Sequence, residues 1–408
     1  MIVEVLNTGT ELLLGEVVNT HAAWFGKQLF PLGLRISRQT TVPDGEAIRV
    51  ALAECFERAD VVLVTGGLGP TTDDITREAV AGLLGLELVA DADVRRKIEA
   101  MVAERGYTMR ERMLRQTMVP TGAVVLANDN GSAPGLYLPK KEASRSPHLF
   151  LLPGPPRELQ PMFTESVLPI LRMLCGNAPV RECRVYRIVG LGESAVEECV
   201  GLGLESRGDL EVGYCARPNE VDLRLIGTPQ ILDEVEPKVL TAVGSHLFSK
   251  KGENLEEWVV TRLRERGLRI ATAESCSGGL LAHRLTNIPG ASEVFTHGFV
   301  TYANDAKVSE LGVPSSLIEA HGAVSEPVAL AMANGAMEKS GSDFALSLTG
   351  IAGPGGGSDA KPVGLVFIGL ARRGKPTLCK EYRFPRDRET FKQLATQTAL
   401  DMLRHELI

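Results

Sequence analysis

Short apolar segments alternate with helical patterns in two separate stretches of this chain, and this alternation constrains its fold most. In the first stretch, the helix Glu46 to Arg58 precedes the strand-like run Asp60 to Thr65, and the helix Asp73 to Leu84 lies between that run and the run His148 to Leu152. In the second stretch, the run that ends at Thr272 and the run Phe344 to Leu348 are separated in the same way. In the first stretch, strands that alternate with helices predict a mainly parallel sheet covered on both faces. We therefore expect two α/β units.

The segment between these units, around residues 175–250, has a different pattern. Two strand-like runs flank the turn Arg217 to Glu220, and a further strand and a short helix precede them, which predicts a small α+β domain. The polar segment Ser249 to Glu253 reads as a hinge. A chain of 408 residues is too long for one ordinary core. We divide it into domains 1–172, 173–250 and 251–408.

Composition limits the partners that we expect. The formal net charge of −7 argues against a broad nucleic-acid-binding surface, which needs a positive field. The seven cysteines are odd in number and form no CxxC pair, so we expect reduced thiols in a cytoplasmic protein. The start MIVEVLNTG lacks a signal-peptide pattern, and no apolar run reaches the roughly 18 residues of a membrane span.

The motif TGGLGPTTDD, residues 65–74, follows an apolar strand and opens a helix. Gly66 and Gly67 allow the backbone to approach a phosphate, and the start of the helix offers free N–H groups. Asp73 and Asp74 have two interpretations that the sequence leaves open. They cap the helix, or one of them holds a Mg²⁺-like ion beside a diphosphate.

Two further strand ends carry similar residues. TGTELLLGEVVNT, residues 8–20, contains Gly9, Glu11 and Asn19, and LLPGPPRE, residues 151–158, contains Gly154. Because ligands bind at the carboxyl ends of strands in open α/β sheets, we expect the three strand ends to share one pocket. It is not a Walker loop, since no Gly-Lys-Ser/Thr follows the glycines.

The motif TAESCSGG, residues 272–279, is a strand-to-helix turn with two possible nucleophiles, Ser275 and Cys276. A serine needs a base, and Lys307 can serve if its pKa is lowered by burial. Lys307 follows the N-cap candidate Asn304 at a helix start, where cations are disfavoured, so its position also helps to lower the pKa. Tyr302 ends the preceding strand. A solvated surface lysine and a packed tyrosine are the alternatives.

The motif LTGIAGPGGG, residues 348–357, ends a strand and is rich in free N–H groups. These groups, including those around Thr349 and Gly350, can cradle an oxyanion or a phosphate. A mobile glycine turn is the alternative interpretation.

Together these motifs closely resemble the CinA (competence/damage-inducible protein A) family over nearly the whole chain. The resemblance implies an N-terminal domain with a molybdopterin-binding-like fold that hydrolyses the diphosphate of ADP-ribose with a divalent cation (Mg, Mn or Co). It also implies a KH-like middle domain. The middle segment shows no clear GxxG loop with basic neighbours, so we do not expect it to bind RNA.

The C-terminal motifs resemble the PncC-type nicotinamide-nucleotide amidohydrolase domain, which implies hydrolysis of nicotinamide mononucleotide to nicotinate mononucleotide and ammonia without a metal. By this resemblance Ser275 is the nucleophile, Lys307 the general base and Tyr302 a proton relay or base-orienting group. Ser292 in PGAS and Arg388 in FPRDR match substrate-binding positions. We also expect a homodimer.

Two alternatives remain at the level of sequence. A non-catalytic protein linked to competence or DNA damage would bind nucleotides in both pockets without turnover. Separately, the N-terminal domain could be a remnant that binds a pterin.

Overall fold

The computed structural model describes residues 1–104, 106, 108, 110–140, 146–176, 181–201, 204 and 207–408. The chain divides into two compact units, Met1–Arg181 and Glu182–Ile408. Among the helices of the described residues, none combines the length and the apolar character that a membrane crossing requires.

The first unit contains a six-stranded sheet in the order β2-β1-β3-β8-β7-β6 and a separate antiparallel pair, β4 with β5. The strands are β1 Val3–Thr8, β2 Ile36–Val42, β3 Val61–Thr65, β4 Leu88–Ala90, β5 Met118–Pro120, β6 Val124–Leu126, β7 Gly135–Leu138 and β8 His148–Leu152. Strands β2, β1, β3 and β8 are parallel neighbours, whereas β7 and β6 are antiparallel. The predicted mainly parallel sheet is confirmed, and the carboxyl ends of β1, β3 and β8 meet at one edge.

Helices cover both faces of this sheet. They are α1 Thr10–Leu13, α2 His21–Leu29, α3 Glu46–Arg58, α4 Thr76–Leu84, α5 Ala92–Glu104, α6 Pro156–Met162 and α7 Leu168–Cys175. Successive residues of β3 alternate between two cores: Val61 and Leu63 pack in one, and Val62 and Val64 in the other. This alternation follows from the period of two in a strand and explains why β3 is apolar throughout.

The sequence shows a helical pattern over about residues 93–116 that predicts one long helix, and this prediction is wrong in its second half. Helix α5 ends at Glu104, and a 3₁₀ segment covers Glu111–Thr117. The sequence between them, Arg-Gly-Tyr-Thr from position 105, contains poor helix formers, so the apolar spacing on either side does not produce one continuous helix. Positions 105, 107 and 109 lie outside the described residues.

The second unit begins with an antiparallel four-stranded sheet in the order β10-β11-β9-β12. Its elements are β9 Glu182–Val189, α8 Glu193–Gly201, β10 Glu211–Arg217, β11 Glu220–Gly227, α9 Pro229–Val243 and β12 Leu247–Ser249. Both helices pack on this sheet through one core, which includes Val196, Leu232 and Val235. The small α+β fold expected for this segment is confirmed, although α9 and β12 were not foreseen.

The same unit continues with a five-stranded sheet in the order β14-β13-β15-β16-β17. The strands are β13 Ile270–Glu274, β14 Phe295–Val300, β15 Phe344–Gly350, β16 Leu365–Arg372 and β17 Lys375–Arg383. The helices are α10 Leu255–Glu265, α11 Leu280–Thr286, α12 Asn304–Leu311, α13 Ser315–His321, α14 Glu326–Ser340 and α15 Arg388–Glu406. Because β14, β13 and β15 are parallel, the segments that follow them emerge at one edge.

Candidate functional site

Ser275 lies on the tight turn that joins β13 to α11. Its N–H donates to the carbonyl of Leu348 on β15 at 2.9 Å, and the N–H of Gly278 donates to the carbonyl of Ser275 at 3.1 Å. Gly278 and Gly279 have φ values of +63° and +93°, a region that other residues rarely adopt. The glycines therefore permit the turn, and the bond to β15 fixes the backbone of Ser275 at the end of its strand.

Lys307 reaches this turn from α12. Its side chain is 1% exposed, and its Nζ lies 3.1 Å from Oγ of Ser275. The same nitrogen donates to the backbone carbonyls of Thr301 at 2.8 Å and Tyr302 at 3.4 Å. Among the described residues, no carboxylate forms an ion pair with it. The structure thus brings Ser275 and Lys307 into direct contact in a buried setting.

Burial lowers the pKa of Lys307, because desolvation disfavours its charged form. A neutral amine has two N–H groups and one lone pair. In this neutral form, with the N–H groups directed at the carbonyls of Thr301 and Tyr302, the lone pair would face the hydroxyl of Ser275. Lys307 is the fourth residue of α12, which begins at Asn304 with Ala303 at its N-cap, and burial is the cause that lowers its pKa. The contribution expected from the helix start stays a prediction.

Cys276 follows Ser275 but is 5% exposed and packs in the core beneath the turn. Burial raises the pKa of its thiol to about 12. Since the thiolate is the reactive form, this cysteine is a packing residue at neutral pH. Of the two candidate nucleophiles in the turn, Ser275 alone contacts a base in the described structure.

Glu274 is a feature of the site that the sequence reasoning missed. Its side chain is fully buried, and Oε2 accepts hydrogen bonds from Ser277 Oγ at 2.7 Å and from the N–H groups of Gly279 at 3.0 Å and Leu281 at 2.9 Å. Oε1 accepts from the N–H of Ala282 at 2.8 Å. All these partners are donors, which suits a carboxylate at a helix start. An acidic residue placed between an apolar strand and a glycine pair was the signal available in the sequence.

Tyr302 and Arg388 contact each other. Nη2 of Arg388 donates to the phenol oxygen of Tyr302 at 2.6 Å, and Nη1 donates to the carbonyl of Gly353 at 2.9 Å. The side chain of Tyr302 is largely exposed, and it is the backbone carbonyl of this residue that reaches Lys307. The geometry therefore links the phenol to the guanidinium, and the relay expected for Tyr302 stays a prediction.

Ser292 and Thr349 lie in positions that differ from those expected. Ser292 precedes β14, and β14 runs parallel to β13, so Ser292 lies beyond the amino end of the strand pair, whereas Ser275 follows the carboxyl end. At about 3.3 Å per residue, five or six strand residues separate them by roughly 17–20 Å. Thr349 is fully buried, and its hydroxyl donates to the carbonyl of Ala323 at 2.8 Å. Gly350 ends β15 beside the glycine-rich loop.

The glycine loops of the first unit surround one cavity of about 390 Å³. Its lining includes every N-terminal residue predicted for this pocket except Asn19: Gly9, Glu11, Gly66, Gly67, Asp73, Asp74 and Gly154. Asn19 lines a neighbouring cavity of about 270 Å³, which shares Thr8, Glu11, Gly154 and Pro155 with the first. The three strand ends therefore meet as expected, with Asn19 on one side.

Within this cavity the backbone of the glycine loop is closely packed. A Cβ added to Gly67 would stand 2.1 Å from Oγ1 of Thr76, so the loop requires glycine at this position. The carboxylate of Asp74 accepts hydrogen bonds from the N–H of Thr71, at 2.9 Å, and from its hydroxyl. A hydrogen bond with the side chain of Thr71 also lowers the pKa of Asp73. Both carboxylates are therefore ordered by the loop that precedes α4.

A metal ion in this cavity needs oxygen ligands. Across the part of the chain that the structure describes, no three His, Cys, Asp or Glu side chains converge closely enough to hold one. Mg²⁺ commonly uses only one or two carboxylates and completes its coordination with water and substrate phosphates. Asp73 and Asp74 fit that second type of site and do not fit a cage built from protein alone.

Comparison with protein families divides the chain into three matched segments. Residues 4–173 match "Probable molybdopterin binding domain", residues 183–249 match "Damage-inducible protein CinA KH domain", and residues 252–407 match "CinA C-terminal domain". The molybdopterin-binding-like, KH-like and C-terminal α/β architecture expected from the sequence is thereby confirmed.

Full-length relatives match along almost the whole chain. A "CinA-like protein" of Akkermansia muciniphila is 49% identical over 399 residues, covering 98% of this chain and 95% of that protein. A "CinA-like protein" of Kosmotoga olearia is 39% identical, covering 99% of this chain and 98% of that protein. The crystal structure of competence/damage inducible protein CihA from Agrobacterium tumefaciens is 46% identical, covering 37% of this chain and 92% of that chain with a TM-score of 0.37.

Proposed function

This chain belongs to the CinA family, and we propose that its C-terminal region hydrolyses the carboxamide of nicotinamide mononucleotide to nicotinate mononucleotide and ammonia. One observation carries the proposal: Nζ of the buried Lys307 lies 3.1 Å from Oγ of Ser275, on a turn held by β15 and Glu274. A buried amine of lowered pKa beside a serine hydroxyl is the pair that amide cleavage by a serine requires.

The reaction follows from this pair. Oγ of Ser275 attacks the carboxamide carbon while its proton passes to Nζ of Lys307, and the carbonyl becomes an oxyanion. The C–N bond then breaks, Lys307 returns the proton to the leaving nitrogen, and ammonia departs from a nicotinoyl ester on Ser275. Water, deprotonated by Lys307, hydrolyses this ester and releases nicotinate mononucleotide.

The glycine-rich loop after β15 supports the stabilisation of the oxyanion. The backbone N–H of Ser275 donates a hydrogen bond to the carbonyl of Leu348 on β15, so the turn and the start of this loop are adjacent. Arg388 holds the loop at Gly353. We propose that backbone N–H groups of this loop face the developing negative charge, where preorganised donors contribute most to the rate.

We further propose that the N-terminal region hydrolyses the diphosphate of ADP-ribose. The cavity of about 390 Å³ is lined by glycine-loop backbone from three strand ends and by Asp73 and Asp74, which suits a diphosphate accompanied by a cation. When bound, a divalent cation would neutralise phosphate charge there. The loop residues Gly66 and Gly67 would allow the phosphates to approach the backbone.

The test measures both reactions on the intact chain. We expect ammonia and nicotinate mononucleotide in equal amounts from nicotinamide mononucleotide, with or without a chelator. ADP-ribose should give AMP and ribose 5-phosphate only with added Mg²⁺, Mn²⁺ or Co²⁺. Tight binding of both nucleotides without products under any of these conditions would favour a nucleotide-sensing protein. Binding of a pterin in place of ADP-ribose would favour the pterin alternative for the first unit, which the description of its matched family suggests.

A further inference from the structure

Two residues in the first turns of α15, Arg388 and Lys392, lie near the turn that carries Ser275. Arg388, the first residue of α15, is bonded to Tyr302 and Gly353. Lys392 lies one turn later on the same face, and a Cβ placed on Gly278 would stand 3.7 Å from its Nζ. The ammonium group of Lys392 therefore faces the turn that carries Ser275.

The two cations at this end of α15, Arg388 and Lys392, lack carboxylate partners among the described residues. In the described structure neither Arg388 nor Lys392 forms an ion pair with a carboxylate. The nearby carboxylate of Asp387 accepts from the N–H groups of Glu389 at 3.1 Å and Thr390 at 3.0 Å, and so caps the helix. Two cations four residues apart on a helix repel each other. No carboxylate offsets this repulsion through an ion pair in the described structure, and a bound anion would offset it.

The two cations differ in how many of their N–H donors already form hydrogen bonds within the protein. Arg388 uses two of its five N–H donors on groups of the protein, so its guanidinium is held in place against the loop and the phenol. Lys392 is half-buried and retains its three donors. Gly278 has no side chain, which leaves open the space between the turn and the ammonium.

We propose that Lys392 binds the 5′-phosphate of the mononucleotide and makes the site selective for nucleotides over nucleosides. This inference rests on the proposed amide hydrolysis, because it names the residue that binds the phosphate of the same substrate, at the end remote from the carboxamide. A lysine acts on phosphate as a point charge with several donors, so its contribution is mainly to binding. The chemistry at Ser275 does not need it.

The decisive comparison uses two substrates and two variants. Lys392→Gln removes the charge at the site, and Lys375→Gln removes a lysine of β17 that pairs with Glu406 at 3.3 Å outside it. We expect Lys392→Gln to raise KM for nicotinamide mononucleotide about 10- to 100-fold. Its kcat, and its kcat/KM for nicotinamide riboside, should stay within about twofold of the wild type, as should all constants of Lys375→Gln. An equal loss with both substrates, or no loss, would overturn the proposal.

A binding measurement separates this inference from the proposed reaction. If the wild-type chain releases no ammonia from either substrate, the proposed reaction fails, and calorimetry with nicotinate mononucleotide then tests Lys392 alone. We expect Lys392→Gln to bind this nucleotide at least about tenfold more weakly than the wild type, with a difference that shrinks at high salt. Equal affinities, or no binding by the wild type, would refute the phosphate site.

Discussion

The site at Ser275 and the cavity at the N-terminal glycine loops differ in how much of their chemistry is already assembled. At Ser275 the two proposed reacting groups are in contact at 3.1 Å. The carboxylate of Glu274 accepts hydrogen bonds from Ser277, Gly279 and Leu281, in and just after the turn. In the N-terminal cavity, acidic side chains line the wall, yet among the described residues no three of them converge. One site is built around a pair of side chains, and the other around backbone.

This difference reflects what each proposed reaction demands. A serine nucleophile works only if its base is fixed beside it, which requires burial and hydrogen bonds from the protein. Phosphate binding uses N–H groups and cations, and the oxygens of the bound phosphate themselves coordinate a metal ion. The first site should therefore be sensitive to single side chains, and the second to ions and to the backbone of its loops.

The largest effect should come from Lys307→Met, which removes the base and keeps the volume. Ammonia release should fall about 10³-fold or more, and hydrolysis of ADP-ribose by the same protein should not change. Stability should rise. The folded-state pKa of Lys307 is lowered, so the unfolded chain binds more protons and burial of the amine costs stability at neutral pH.

This stability cost shrinks as pH rises from the lowered folded-state pKa towards the ordinary lysine value of about 10.4. The gain from Lys307→Met should therefore be greatest below the folded-state pKa and vanish above the ordinary value. Thermal unfolding of both proteins across this range measures it. A variant that is less stable than the wild type at pH 7 would contradict the view that burying this amine without an ion-pair partner costs more stability than its hydrogen bonds return.

A smaller effect is expected from Glu274→Gln. The amide keeps the shape but turns one acceptor into a donor, so at least one buried N–H of α11 loses its partner. We expect kcat for ammonia release to fall about 100-fold with KM nearly unchanged, and the unfolding free energy to fall by about 2 kcal/mol. Glu256→Gln is the control, since Glu256 pairs with Arg284 on α11 at 2.6 Å without touching the turn. Equal loss of kcat in both variants would show that Glu274 supports only the stability of α11 and does not position Ser275.

Asp74→Ala tests the other half of the comparison. We expect hydrolysis of ADP-ribose to fall about tenfold or more and the metal requirement to move to higher concentration, with ammonia release unchanged. Asp129→Ala, which removes an exposed carboxylate paired with Lys97, serves as the control. If both variants retain wild-type metal dependence, the carboxylates of the loop serve only to order the segment before α4.

The smallest effect is expected from Cys276→Ala. The thiol is buried and its pKa is raised to about 12, so it takes no part in the reaction. Ammonia release should stay within about twofold of the wild type, and the unfolding free energy should fall by about 1 kcal/mol through lost packing. Loss of activity comparable to that of Lys307→Met would move the nucleophile from Ser275 to Cys276.

Elements with strong local signals were predictable. Helix α3 was predicted with the bounds that the structure gives. The helical pattern over about 388–406 likewise predicts α15, which also has a capping aspartate at Asp387. Strand β17 was missed. It lies at the edge of its sheet with mostly exposed side chains, so its sequence carries little apolar alternation, and its pairing with β16 defines it.

The candidate site was predictable where neighbouring strand ends determine it. Ser275 and Lys307 were paired from sequence because a serine needs a base and because the family resemblance falls on both, and parallel strands bring the segments after β13 and β14 to one edge. Ser292 could not be placed in this way, because the chain returns to the opposite edge before it enters β14. The contact of Tyr302 with Arg388 and the bonds of Glu274 depend on side-chain directions across different elements. Periodicity contains no information about these directions.

The most direct test of the account is ammonia release from nicotinamide mononucleotide, measured side by side for the wild-type chain and Ser275→Ala. Ser275→Ala removes one oxygen at the centre of the proposed site and leaves Glu274 and the turn in place. The account predicts steady ammonia release by the wild type and none above background by the variant. Equal release by the two proteins would contradict it.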